Sequence, residues 1–154
     1  MEMADLFIPD GIIPNLRVTG KKEALAELAR RAAELTGQSE QTIFEVLSHR
    51  ESLGSTGVGQ GIGIPLGKLP GLTRHHAFFA RLEKSIDFDA IDAQRVDLIC
   101  LLLAPETVSA DHLKILARIS RLLRNRTIRD KLRRANDVNE IYTILAGSKA
   151  DRAD

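Results

Sequence analysis

Side chains capable of chemistry concentrate in one stretch of this chain. Between Glu51 and Leu69 stand six glycines, at 54, 57, 59, 61, 63 and 67, with Arg50 and Lys68 at either end. Ser52, Ser55 and Thr56 add three hydroxyls to the same segment. Bare backbone amides, hydroxyl donors and cations together suit an anion, above all a transiently held phosphoryl group, through short charge-assisted hydrogen bonds. No Gly-Lys-Ser/Thr follows at the spacing of a nucleotide P-loop. The strand before and helix after that a dinucleotide fingerprint needs are also missing. On composition alone, an irregular surface connection accounts for the segment as well.

The remaining candidates are few. His49 sits at the end of a helical pattern and reads as a solvated partner of the helix dipole. His75 and His76 are neighbours in a strand-like run, so they point to opposite faces, and a partly buried structural role is the expectation for both. Cys100 is the only cysteine, which excludes an internal disulfide and fits a small buried hydrophobe. His112 and the scattered acids show no metal-ligand spacing, and nothing calls for a cofactor. The cations between Arg118 and Arg134, among them Arg121, Arg124, Arg126 and Arg129 with Asp130, read as solvated helix faces. They carry no aromatic residues on which bases could stack, so a nucleic-acid partner is not expected.

Elements must position these groups. Lys21 to Leu35 carries Leu25, Leu28, Ala29, Ala32 and Leu35 on one face, a helix that Gly37 can close. Ser39 is a fitting N-cap for a second helix with Ile43, Phe44, Val46 and Leu47 as its apolar side. The glycine-rich segment predicts loop and short strand. Ile12 to Val18 suggests a short or edge strand, and His75 to Leu82 a strand ending at a charged turn, Glu83-Lys84. Val96 to Ala104 is apolar almost throughout, as in a central strand covered on both faces. After Pro105 a helix is expected from Ser109 or Ala110 to Leu123, burying Leu113, Ile115, Leu116, Ile119, Leu122 and Leu123. Two shorter helices follow, Ile128 to Arg134 and, capped by Asp137, Val138 to Leu145, with a frayed tail from Gly147. The sum is a three-layer α/β/α sandwich with a mixed sheet of four or five strands.

Composition sets the outer limits. The chain has 154 residues, 44% hydrophobic and 28% charged, the size of one ordinary domain and too little for two independent cores. Lys and Arg nearly cancel Asp and Glu, 22 against 21, which argues against a generally cationic surface. The longest apolar run, Leu98 to Ala104, is too short to cross a bilayer. The first ten residues carry Glu2, Asp5 and Asp10 and no basic start, unlike a secretory signal. A single cytoplasmic domain spanning 1–154, with its core at about 5–146, is the expectation.

The run Arg-Glu-Ser-Leu-Gly-Ser-Thr-Gly-x-Gly-x-Gly-x-x-Ile-Pro-x-Gly-Lys-Leu, residues 50–69, resembles the signature of enzyme IIA domains of the bacterial phosphotransferase system. It is most similar to the nitrogen-regulatory, PtsN-type branch and less so to the fructose and mannitol domains. Ser85 to Asp92, Val96-Asp97-Leu98, Leu103-Ala104-Pro105 and His112-Leu113 agree as well. The resemblance implies an α/β/α phosphocarrier whose histidine takes a phosphoryl group from an HPr-like protein. It further implies regulation by protein contact, with potassium transport and sensor kinases among the targets, and no attached permease. Arg50, Ser52 and Thr56 take positions where such proteins place polar groups near the phosphoryl site. Gly67 and Lys68 follow the acceptor, and His112 matches the second histidine beside it.

One departure matters. The acceptor lies between the Pro and Gly of Ile-Pro-His-Gly-Lys, and here that position is Leu66. Leucine has no lone pair with which to attack phosphorus. Three accounts stand open. The chain works permanently as the unphosphorylated form; or leucine, one nucleotide change from histidine, was introduced to lock that form; or His112, His75 or His76 accepts instead. A module that binds proteins and never handles phosphate is the alternative of a different class.

Overall fold

The computed structural model describes residues 2–107 and 109–147. Its elements are α1 (Met3–Leu6), β1 (Phe7–Leu16), α2 (Lys21–Thr36), α3 (Glu40–Ser52), β2 (Gly57–Gly59), β3 (Ile62–Gly63), β4 (Leu66–Leu69), β5 (His76–Ile86), β6 (Val96–Pro105), α4 (Ala110–Arg124), α5 (Arg126–Arg134) and α6 (Val138–Ala146). The six-stranded mixed sheet runs β1-β5-β6-β3-β2, and β4 also pairs with β6. β1 lies parallel to β5, β5 antiparallel to β6, and β3 and β4 both parallel to β6. β3 and β4 follow one another along a single edge of β6, so the sheet is five positions wide. The expected four or five strands describe that width.

β6 is central because both its faces are apolar. Leu101 and Leu103 point into a core roofed by α2 and α3, while Leu98, Cys100 and Leu102 point into a second core with Ile115, Ile119, Leu132 and Ile141 of α4, α5 and α6. This alternation makes the three-layer sandwich. Cys100 is fully buried there, and desolvation pushes its thiol up to about 12, so it stays protonated and inert. β1 occupies the sheet's edge, where Pro9 and Pro14 are tolerated for want of a ladder partner on one side.

Several boundaries depart from expectation. β1 starts at Phe7 rather than Ile12, and the short α1 precedes it. β5 does not stop at Glu83-Lys84; it continues to Ile86, pairing with Val96, after a break in register that lets two charges face solvent. Leu113 is 67% exposed and no part of the buried stripe of α4, because it lies on the solvent side of Ile115 and Ile119. Ser109 occupies the N-cap of α4 without donating or accepting a side-chain cap bond. Arg129 is buried rather than solvated: its Nη1 donates to the carbonyls of Leu123 and Arg124 at 3.1 and 2.7 Å, satisfying the end of α4. The caps at Ser39, Asn125 and Asp137 accept from backbone amides three residues on, and Gly37 closes α2 at φ 75°. The expected frayed tail beyond Gly147 lies outside the described residues. No helix among the described residues is long and apolar enough to cross a membrane.

Candidate functional site

The site is built on the register of β4 against β6. Leu66 pairs with Leu102 and Lys68 with Ala104, while across β6 Ala77 pairs with Leu102 and His76 with Leu103. Alternation therefore puts Leu66 on the face of α4, half-buried against the second core, and Gly67 on the opposite face beneath α3. A methyl group on Gly67 would meet Leu103, Leu47 and Val46, each at 3.2 Å, so glycine lets α3 sit directly on the strand. Lys68 emerges one pleat beyond Leu66 on the α4 face, exposed at the C-terminal end of the strand.

There the structure gathers two histidines. His75, immediately before β5, is buried, and its Nε2 lies 3.1 Å from Nδ1 of His112 in the first turn of α4. The rings stack with centroids 5.3 Å apart. One imidazole N–H donates to the other's lone pair, which fixes complementary tautomers. Burial holds His75 below its ordinary pKa, His112 adds to the lowering, and Asp111 opposes it. Burial also lowers His112, with the Lys68 ammonium as the second cause. His76, on the other face, is lowered by burial, then by Arg74 and by His75. The product is a neutral, hydrogen-bonded imidazole pair beside one cation.

The end of α3 forms a second group. Arg50 Nη1 donates to the Gly54 carbonyl at 2.9 Å, and Ser52 Oγ to the His49 carbonyl at 2.6 Å. Thr56 donates both its backbone N–H and its hydroxyl to the Glu51 carboxylate, whose other partner is Lys21 at 2.7 Å. Lys21 in turn lies over the Phe88 ring and 3.8 Å from Asp89. These bonds keep Arg50, Ser52 and Thr56 within the segment 49–56. They order the loop that leads into β4. The two groups are joined by the ladder: Ile64 donates to the Thr56 carbonyl at 2.9 Å, and Leu102 donates to that of Pro65 at 2.9 Å.

Thus Lys68, His75 and His112 come together with Leu66 one pleat away on the same face, and Arg50, Ser52 and Thr56 secure the loop leading into it. His49 is exposed, as expected. Glu51 and Lys21 were missed as members, while His75, expected as a partly buried structural residue or an alternative acceptor, is buried in the pair with His112. The doublet at 75–76 was the available signal for His75, since alternation sends one of the two to the α4 face. The Lys21–Glu51 pair joins the starts and ends of separate helices, and no local pattern announces it.

Residues 5–148 match the family described as phosphoenolpyruvate-dependent sugar phosphotransferase system, EIIA 2. The chain belongs to this family. It is 56% identical over 146 residues to a nitrogen regulatory protein of Bradyrhizobium diazoefficiens, covering 95% of each chain. It is 41% identical over 130 residues to the nitrogen regulatory protein of Escherichia coli, covering 84% and 80%. Among solved structures, the nitrogen regulatory protein IIA-Ntr of Neisseria meningitidis superposes with a TM-score of 0.88 at 31% identity, over 93% of this chain and 98% of that one. The mannitol enzyme IIA of Escherichia coli, solved in complex with phosphorylated enzyme IIB, shares the EIIA 2 fold with a TM-score of 0.77 at 19% identity, over 93% and 100%. Within the EIIA 2 family the resemblance is thus to nitrogen regulatory, PtsN-type members.

Proposed function

We propose that this chain is a nitrogen-branch enzyme IIA-type regulator that docks an HPr-like phosphocarrier and its regulatory targets but does not take a phosphoryl group at position 66. The observation that carries the reading is the placement of Leu66. It opens β4 on the face where Lys68 and the His75–His112 pair stand, at the position the resemblance gives to the phosphorylated histidine. An acceptor imidazole there would have a cation to stabilise charge on the phosphoryl oxygens, and positioning would supply most of the catalysis. An isobutyl group supplies no nucleophile. The surroundings then serve recognition, with targets on the pattern of potassium transporters and sensor kinases.

The second reading, a protein-binding module that never handles phosphate, is favoured by the inward bonding of Arg50, Ser52 and Thr56. Intact mass separates the two. The protein and its Leu66→His variant are incubated with a phosphorylated HPr-like carrier and measured under mildly alkaline conditions, which preserve a phosphoramidate. Gain of a phosphoryl group by the variant alone is the expected outcome. If neither gains one, the loop has lost the geometry for transfer and the second reading stands. Gain by the unsubstituted chain would move the acceptor to another histidine and overturn the proposal.

A further inference from the structure

Residues 114–134 hold nine of the chain's 22 Lys and Arg but only one of its 21 acids, Asp130. With a formal net charge of +1 overall, the rest of the molecule is net negative. Such asymmetry is not what a solvated helix face needs. On α2 the two signs interleave and neutralise each other: Arg30 bonds Glu27 at 3.0 Å and Glu34 at 2.9 Å, three residues before and four after it. On α4 and α5 such pairing is sparse: Arg126 reaches Asp130, four residues on, at 4.0 Å. Lys114, Arg121, Arg124, Lys131 and Arg134 are exposed, and among the described residues no carboxylate lies within ion-pair distance of any of them. Keeping this many like charges adjacent costs self-repulsion that mixed surfaces avoid.

The stripe also has shape and an apolar border. Helical spacing sets Leu113, Ala117 and Arg124 along one line of α4, with Lys114 and Arg121 beside it. Ala117, Ser120, Arg121, Arg124 and Asn125 line a shallow groove there, and Leu113 stands out at its head. A second groove, between α5 and α6, is edged by Lys131 and Arg134 with Glu140 at its side. No aromatic ring stands among these groups for bases to stack on. The apolar face of α4 is spent on the second core, which leaves nothing to insert into a bilayer. Guanidinium forks match carboxylates bidentately, and an exposed leucine beside them suits a partner that carries apolar residues between its acids.

We infer that the outer face of α4 and α5 is a docking surface for an acidic, amphipathic protein segment, one presenting Glu or Asp with interspersed aliphatic side chains. This goes beyond the proposed function, because the surface needs neither Leu66 nor phosphate.

The test uses the full chain and a helical peptide of Glu-Glu-Leu repeats labelled for fluorescence anisotropy, with duplex DNA of equal charge as the competing probe. Binding of the peptide should weaken with added salt. It should fall roughly tenfold in the double variant Arg121→Glu/Arg124→Glu, with Arg121→Gln/Arg124→Gln between. Lys22→Glu/Lys84→Glu, the same charge change on exposed sites elsewhere, should leave it nearly unchanged. Leu113→Ser should weaken the peptide and not the DNA. Thermal melts of each variant verify that the fold persists. Absence of peptide binding at low salt, or equal loss in the Lys22/Lys84 control, would overturn the inference. Tighter binding of DNA together with indifference to Leu113→Ser would overturn it in favour of a nucleic-acid partner.

Discussion

The His75–His112 pair, together with His76, makes this protein sensitive to acid. Both imidazoles of the pair are held below their ordinary range, chiefly by burial, so the folded state resists protonating them while the unfolded chain does so near pH 6.5. Below that pH the unfolded state binds more protons. The stability these groups contribute is therefore full above about pH 6.5 and is lost as pH falls through their depressed folded values. Urea midpoints measured from pH 7.5 down to 5 should decline, and His75→Asn should flatten the decline while lowering the midpoint at pH 7.5. A slope identical in the variant would show that the pair does not govern it. Little of this pairing was legible in the sequence. His112 stood out through its resemblance to a second site histidine, whereas His75 read as structural, because a contact between residues 37 apart depends on where β5 begins relative to α4.

At the level of elements, the sequence was most informative where a local rule had no competitor. Ser39 and Asp137 cap their helices as their types predict, and the run at 96–104, apolar but for Asp97, became the central strand. It misled where tertiary packing decides, at the exposed Leu113 and the buried Arg129. The glycine-rich segment was readable as not helical, yet its glycines have individual reasons that only packing reveals. Gly57, in β2, lies against the loop at 87–92: a Cβ there would come within 2.7 Å of the Ala90 Cα and 2.8 Å of its Cβ. The neighbour is backbone, which cannot rotate away, and Ile91 donates to the Gly57 carbonyl at 3.0 Å. Gly57→Ala should then cost about 2 kcal/mol through overpacking and lower the melting temperature accordingly. Gly20→Ala, at an N-cap where a Cβ meets nothing within 4 Å, removes a tolerated cap residue without overpacking and should lower the melting temperature less than Gly57→Ala. Equal effects of the two substitutions would mean that the 87–92 loop yields freely.

Across the whole molecule, the edge strand, the sheet and the α5–α6 junction meet at one guanidinium. Arg81, on β5, donates through Nε to the Pro14 carbonyl of β1 at 2.9 Å, and through Nη1 to the carbonyls of Leu132 at 2.9 Å and Ala135 at 2.6 Å. Among the described residues no carboxylate takes part; the charge is spread over backbone carbonyls. Pro14 lies at the register break of β1 between Ile13 and Leu16, and Leu132 and Ala135 stand at the end of α5 and in the gap before α6, where helix carbonyls lack intrahelical partners. The fork geometry of arginine reaches both sides at once, which an ammonium on a flexible stem does not. Arg81→Ala should destabilise by about 2–3 kcal/mol, the cost of stranding partly buried carbonyls bonded to a charged donor. Arg81→Lys should recover less than half of that. Hydrogen exchange should locate the loss at β1 and at the start of α6 together, because the same side chain holds both. If β1 alone loosens in Arg81→Ala, the contacts to α5 and its junction contribute nothing, and the second core must hold the C-terminal helices in place without them.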